Sequence, residues 1–195
     1  MTPEGDVPAK RLFLLLGPSG VGKTTLVRCA REHLPWLGHP VSYTSRAPRP
    51  GEHEGEDYHF VSEPEFLRLR DAGRLLEWDQ PHGTHYYGIP AEPVLSRIRR
   101  GDALIREIAV HGLEQVLAGP AAPYVYSIFL LPASMEDLEA RLTGRDGAAA
   151  AERIRQAGRE MELAHRCDAL VRVPHGDAEG ACRSLIRIIR AAAHL

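Results

Sequence analysis

The run Gly17-Pro18-Ser19-Gly20-Val21-Gly22-Lys23-Thr24 constrains this chain more than any other feature. It fits the spacing GxxxxGK[ST], follows the apolar segment Arg11–Leu16 and precedes a helical stretch from Lys23 to about Leu34 that Pro35 stops. Glycines at this spacing let the backbone turn tightly, so that successive N–H groups point inward as an anion nest. The helix that follows adds the positive end of its dipole. Such a loop belongs between a buried strand and a helix. One compositional bias sharpens the reading. Of 24 basic residues 22 are arginine, and the two lysines are Lys10 and Lys23. Whatever removed lysine from this chain spared the loop.

The rest of the chain alternates. Short β-like pieces (Val41–Thr44, Tyr58–Val61, Leu75–Asp79, His85–Tyr87) and one helix, Glu63–Asp71, lie among Pro/Gly turns between residues 41 and 90. Beyond Pro90 the spacing predicts helix Ala91–Arg100, strand Ala103–Ile108, helix His111–Leu117 and strand Tyr124–Leu131. Ser134 then caps a helix running to about Leu142, a capping box if Asp137 reaches back. Helix Glu152–His165, strand Ala169–Val173 and helix Asp177–Ala193 close the chain. Strands alternating with helices predict an α/β fold with a parallel sheet covered on both faces. The polar, Pro-bearing residues 1–10 read as a disordered leader, and residues 11–195 as a single domain.

Composition excludes several classes. With 44% hydrophobic and 26% charged residues the chain is an ordinary globular one, and a net charge of −2 offers no basic field for nucleic acid. No apolar run approaches the roughly 18 residues of a membrane span. Cys29, Cys167 and Cys182 are widely spaced with no CxxC. They predict a reducing, cytoplasmic setting and neither a disulfide framework nor a zinc site.

In the loop, the Lys23 ammonium suits the β- and γ-phosphates of ATP, and the Thr24 hydroxyl suits Mg²⁺. Residues Gly17, Pro18, Ser19, Gly20, Val21, Gly22, Lys23, Thr24 and Thr25 form the candidate ATP-binding segment. Glu107, at a strand end, suits ordering Mg²⁺ through water or pairing with an arginine. A second anion site is suggested by Ser42-Tyr43-Thr44-Ser45-Arg46-Ala47-Pro48-Arg49, where two forked guanidinium groups sit in a Pro-stiffened loop.

Four segments, GPSGVGKTTL, SRAPRPGEHEGEDYHFVS, LLEWDQPHGTHYYGIP and IFLLPASMEDLEARL, stand in the order and spacing of the guanylate kinase family, which the chain resembles over roughly residues 11–190. The resemblance implies a P-loop NTPase-type core of five parallel strands (residues 11–40 and 91–195). It further implies an inserted mixed-β monophosphate-binding lobe (41–90) and a short lid near 143–155. It implies that Ser42, Arg46, Arg49 and Tyr58 hold the acceptor phosphate, that Tyr87 lines the phosphate side, and that Glu77 reads guanine. Arg141, Arg145 and Arg153 would approach the transferring phosphoryl group. The implied reaction is ATP- and Mg²⁺-dependent phosphorylation of GMP to GDP by a monomer or homodimer.

The chain departs from the family's pattern where the base is read. Ile89 follows YYG in place of a small hydroxyl residue, and Ala109 stands in place of an acid that contacts guanine. One residue is inserted before YYG, the lid is about three residues shorter, and Pro174-His175 replaces an Asn-Asp pair. Losing a charged and a neutral hydrogen bond removes roughly 2.5–4 kcal/mol of discrimination. Asp79, His82, His85 and His111 are candidate replacements. Another phosphorylated acceptor, such as a different nucleotide or ribose 1,5-bisphosphate, therefore stays open beside GMP. A non-catalytic phosphopeptide-binding module is the remaining alternative, against which the intact loop argues.

Overall fold

The computed structural model describes residues 9–146 and 150–194, with the side chains of 82, 144–146 and 150 left out. Its centre is strand β1 (Leu12–Leu16), all five residues of which are buried. A strand buried on both faces reads as a continuous apolar run, which is why LFLLL shows no polar alternation. Around it a five-stranded sheet runs in the order β2 (Leu37–Gly38), β7 (Ala103–Glu107), β1, β8 (Val125–Pro132), β9 (Ala169–Val173). Every pairing in it is parallel.

Successive side chains of a strand point to opposite faces, and β1 divides accordingly. Phe13 and Leu15 pack with Leu26, Val27 and Ala30 of α1 (Lys23–His33) and with Leu185 and Ile189 of α7 (Ala178–Ala192). Leu12, Leu14 and Leu16 pack on the other face with Val94 and Ile98 of α3 (Ala91–Arg99) and Leu113 and Val116 of α4 (Val110–Leu117). At roughly 1.5–3 kcal/mol per buried large apolar side chain, these two layers hold β1, and hence the loop leaving it, in place.

A second sheet follows the order β4 (Tyr58–Phe60), β3 (Ser42–Thr44), β6 (Tyr87–Pro90), β5 (Leu75–Asp79), mixed in direction. Helix α2 (Glu63–Asp71) covers it with Phe66, fully buried; Ser62 caps that helix by accepting from the Glu65 N–H at 3.3 Å. Strand β6 begins at Tyr87, not at His85 as the pattern suggests, and a 3₁₀ turn over Pro81–Gly83 lies ahead of it. Gly88 lies so close beneath Phe66 and Leu75 that a Cβ there would meet Phe66 at 3.0 Å and Leu75 at 2.9 Å.

Helices α5 (Met135–Asp146) and α6 (Ala150–Met161) complete the chain between β8 and β9. The capping box forms only by half. The Ser134 hydroxyl accepts from the Asp137 N–H at 3.2 Å, but the Asp137 carboxylate turns to Arg141, 2.7 Å away on the same helix. The lid expected near 143–155 lies partly outside the described residues, as does the leader. Among the described residues no helix is long and apolar enough to cross a membrane.

The expectation of no disulfide is overturned. Cys29 on α1 and Cys182 on α7 are joined across a sequence separation of 153, with Cα atoms 6.3 Å apart. The two helices pack side by side on one face of the sheet, a proximity that linear spacing does not encode. The bond removes the ground for inferring a reducing compartment from the cysteines; Cys167 is a free thiol.

Candidate active site

The loop after β1 takes the shape its glycines allow. Gly17, Gly20 and Gly22 all have positive φ (137°, 79° and 110°). At Gly17 a Cβ would also meet the Leu130 carbonyl at 2.8 Å, so a side chain is excluded there twice over. Gly22 caps α1 in the left-handed region, and its carbonyl accepts from the Leu26 N–H at 3.0 Å. Lys23, the first residue of α1, folds back and donates to the carbonyls of Gly17 and Pro18, the latter at 3.1 Å. Burial lowers its pKa, while Glu160 and Glu107 facing it work in the opposite direction. Thr24 and Thr25 are exposed at the start of the helix.

Opposite the loop opens a cleft of about 300 Å³. Gly17, Ser19 and Lys23 line one side; Ser42, Tyr58, Tyr87 and Gly88 line another. Glu77 and Asp79 of β5, Arg106 and Glu107 of β7, Ala109, and Arg153, Gln156 and Glu160 of α6 complete the wall. Of the residues expected to hold an acceptor, Ser42, Tyr58, Glu77 and Tyr87 thus share one cavity with the loop.

Arg46 stands behind that wall. Its Nε donates to the Tyr87 hydroxyl at 3.3 Å, and its guanidinium lies 5.5 Å from the centre of the Tyr58 ring. Nη1 and Nη2 grip the two carboxylate oxygens of Glu52 at 2.9 and 3.0 Å, a bond that raises the arginine's pKa. Glu52 also accepts from the Arg49 backbone N–H at 2.8 Å. Arg49 is exposed on the same loop and does not line the cleft. Nor does Arg141, which is paired with Asp137. The side chain of Arg145 lies outside the described residues, as does that of His82.

The two acids in the cleft wall are shifted in opposite directions. Glu77 is 6% exposed; burial, helped by the charge of Asp79, pushes its carboxyl up to about 7 against the pull of Arg106 and His111. Burial also pushes Glu107 upward, but the His39 ring and the Arg106 guanidinium outweigh it and hold the carboxyl at about 2. Arg106, itself buried, has its Nη1 2.9 Å from His39 Nε2 and lies 5.8 Å from the centre of the Tyr58 ring. Ile89 is buried in the apolar layer beside Leu76 and Val94, not in the cleft. Ala109 does line the cleft.

Sequence reading gave no role to Arg106, His39, Glu52, Gln156 or Glu160. Arg106 had a signal of sorts, a charged residue inside an apolar strand next to an acid. Glu160 had none, since only the packing of α6 against the cleft brings it opposite Lys23. As donors, the Thr24 hydroxyl and the ionised Glu107 carboxylate are the hard oxygens that suit Mg²⁺.

Comparison with known proteins gives a consistent answer. A family model described as guanylate kinase matches residues 9–192. The guanylate kinase of Mycolicibacterium paratuberculosis is 44% identical over 191 residues, covering 96% of this chain and 82% of the relative. That of Trichormus variabilis is 40% identical over 187 residues, covering 94% and 92%. The crystal structure of guanylate kinase from Anaplasma phagocytophilum superposes with a TM-score of 0.72 at 28% identity, covering 94% of this chain and 86% of the other.

Proposed function

Since the chain belongs to the guanylate kinase family, we propose that it transfers the γ-phosphoryl group of ATP to GMP, yielding ADP and GDP. The observation that carries this reading is the single cleft in which the loop and Lys23 face Ser42, Tyr58 and Tyr87, with Glu77 beyond them. The loop N–H groups and Lys23 bind the ATP phosphates. Ser42, Tyr58 and Tyr87 receive the acceptor phosphate, backed by Arg46. Arg49, on its exposed loop, joins them when an acceptor is bound.

The GMP phosphate is already anionic, so transfer needs no strong protein base. Positioning and charge neutralisation supply most of the acceleration. Lys23 exchanges its bonds to the loop carbonyls for phosphate oxygens, and Arg153 approaches from α6; Arg141 takes the same role once it leaves Asp137. Thr24 and, through water, Glu107 would hold Mg²⁺, which would supply neutralisation of β- and γ-phosphate charge. Glu77, buried against the base end of the cleft, accepts from the N1–H and 2-amino donors of guanine.

ADP release with ATP·Mg²⁺ across GMP, dGMP, IMP, AMP, CMP, UMP and ribose 1,5-bisphosphate tests the assignment. Turnover is expected with GMP and dGMP above all others, and Lys23→Ala lowers kcat by at least about a hundredfold. Faster turnover of another acceptor would replace GMP, and ATP binding without any turnover would leave a binding module.

A further inference from the structure

The base end of the cleft holds a second carboxylate that the proposed chemistry does not use. Glu77 and Asp79 are two residues apart on β5, so both project from the same face, and both line the cleft. Helix α4 fixes all three residues of this segment. Gln115 brackets the Trp78 backbone, accepting from its N–H at 3.1 Å and donating to its carbonyl at 2.9 Å. One turn earlier, Gly112 lies against the Glu77 carboxylate; a Cβ there would come within 2.7 Å of Oε2. At the helix start, His111 Nε2 meets Asp79 Oδ1 at 2.8 Å.

Asp79 is therefore neither a solvated strand-end acid nor a buried structural one. Its side chain is 21% exposed, His111 engages its Oδ1, and it lines the cleft that a ligand would enter. Elsewhere in the lining Ala109 presents only a methyl group, and Ile89 does not line the cleft. Among the described residues, Glu77, Glu160 and Arg106 are charges that act on this segment. Two acceptor groups side by side suit a heterocycle edge that carries adjacent N–H donors. Guanine offers N1–H and a 2-amino group with two hydrogens. Hypoxanthine lacks the amino group, and adenine presents a bare N1 acceptor.

We propose that Asp79, oriented by His111, accepts a hydrogen bond from the 2-amino group of the acceptor's guanine beside Glu77, and so sets the preference for GMP over IMP. The inference rests on the GMP reading above. Asp79 is a specificity residue in contact with substrate; His111 is a positioning residue.

The test is the ratio of kcat/KM for GMP to that for IMP, measured at saturating ATP, in the unaltered enzyme, Asp79→Ala and the near-isosteric Asp79→Asn. Loss of a hydrogen bond to a charged group predicts that the ratio falls about 10- to 100-fold in Asp79→Ala, through KM for GMP. Asp79→Asn, which keeps an acceptor oxygen but loses the charge, falls between the two. His111→Ala lowers the ratio less than Asp79→Ala does, and His111→Gln, which can still donate to Asp79, restores it in part. A ratio unchanged in both Asp79 variants overturns the proposal. Calorimetric binding of GMP and IMP yields the same ratio without turnover. A chain that binds GMP with this dependence on Asp79 yet never phosphorylates it would sink the transfer reading alone. A chain that binds GMP no better than IMP would sink the role of Asp79.

Discussion

Single residues carry the pH behaviour of this protein, and the two cleft acids carry it with opposite signs. Glu77 binds its proton more tightly when folded, with a pKa of about 7 against an ordinary 4.5. Between those values the folded state holds more protons than the unfolded one, so stability falls as pH rises through that window, by on the order of 3 kcal/mol. Glu107 binds its proton less tightly when folded, so its contribution is present above 4.5 and is lost as pH falls towards about 2. Glu77→Gln mimics the neutral acid. Its stability in urea should equal that of the unaltered protein near pH 4.5 and exceed it by up to on the order of 3 kcal/mol at pH 8. Parallel pH profiles for the two proteins would contradict this. The same substitution should weaken GMP binding, since an amide presents only one acceptor to the base.

At the scale of elements, the acceptor loop is shaped by one carboxylate. Glu52 closes a seven-residue loop by gripping the Arg46 fork and the Arg49 N–H together. It stands where an anion would otherwise attract Arg46, and keeps that side chain against Tyr58 and Tyr87. Glu52→Ala releases both arginines from this arrangement. We expect KM for GMP to rise about tenfold with KM for ATP unchanged, because the phosphate loop lies on a different sheet. A parallel rise in both constants would show that Glu52 supports the cleft as a whole. This scale also separates what could be read from what could not. The 3.6-residue and two-residue periods locate helices such as Glu63–Asp71 and strands such as Leu75–Asp79 to the residue. Strand β2 escapes them, being two residues long, and helix α6 stops at Met161 because a 3₁₀ turn over Ala164–Arg166 replaces its last turn.

For the whole molecule, the Cys29–Cys182 bond ties the helix that leaves the phosphate loop to the last helix of the chain. A link closing so long a loop restricts the unfolded chain strongly, and such bonds typically contribute 2–4 kcal/mol. Reduction, or Cys29→Ser, should lower Tm by about 5–15 °C in a domain of this size. Identical melting with and without reductant, together with three titratable thiols, would show that the bond does not form in solution.

What the linear chain determined by itself was local. The glycine spacing around Lys23 prescribes backbone shape over a few residues, and the apolar run before it prescribes burial on both faces. Such features act between neighbours, so reading along the chain reveals them. The structure decided every meeting between distant residues: Glu160 opposite Lys23, Arg106 beneath Tyr58, His111 on Asp79, Cys29 against Cys182. Those contacts depend on which helix faces pack and on where strands stop in register. The energies that choose among packings are spread over many small apolar contacts, and no short segment records them.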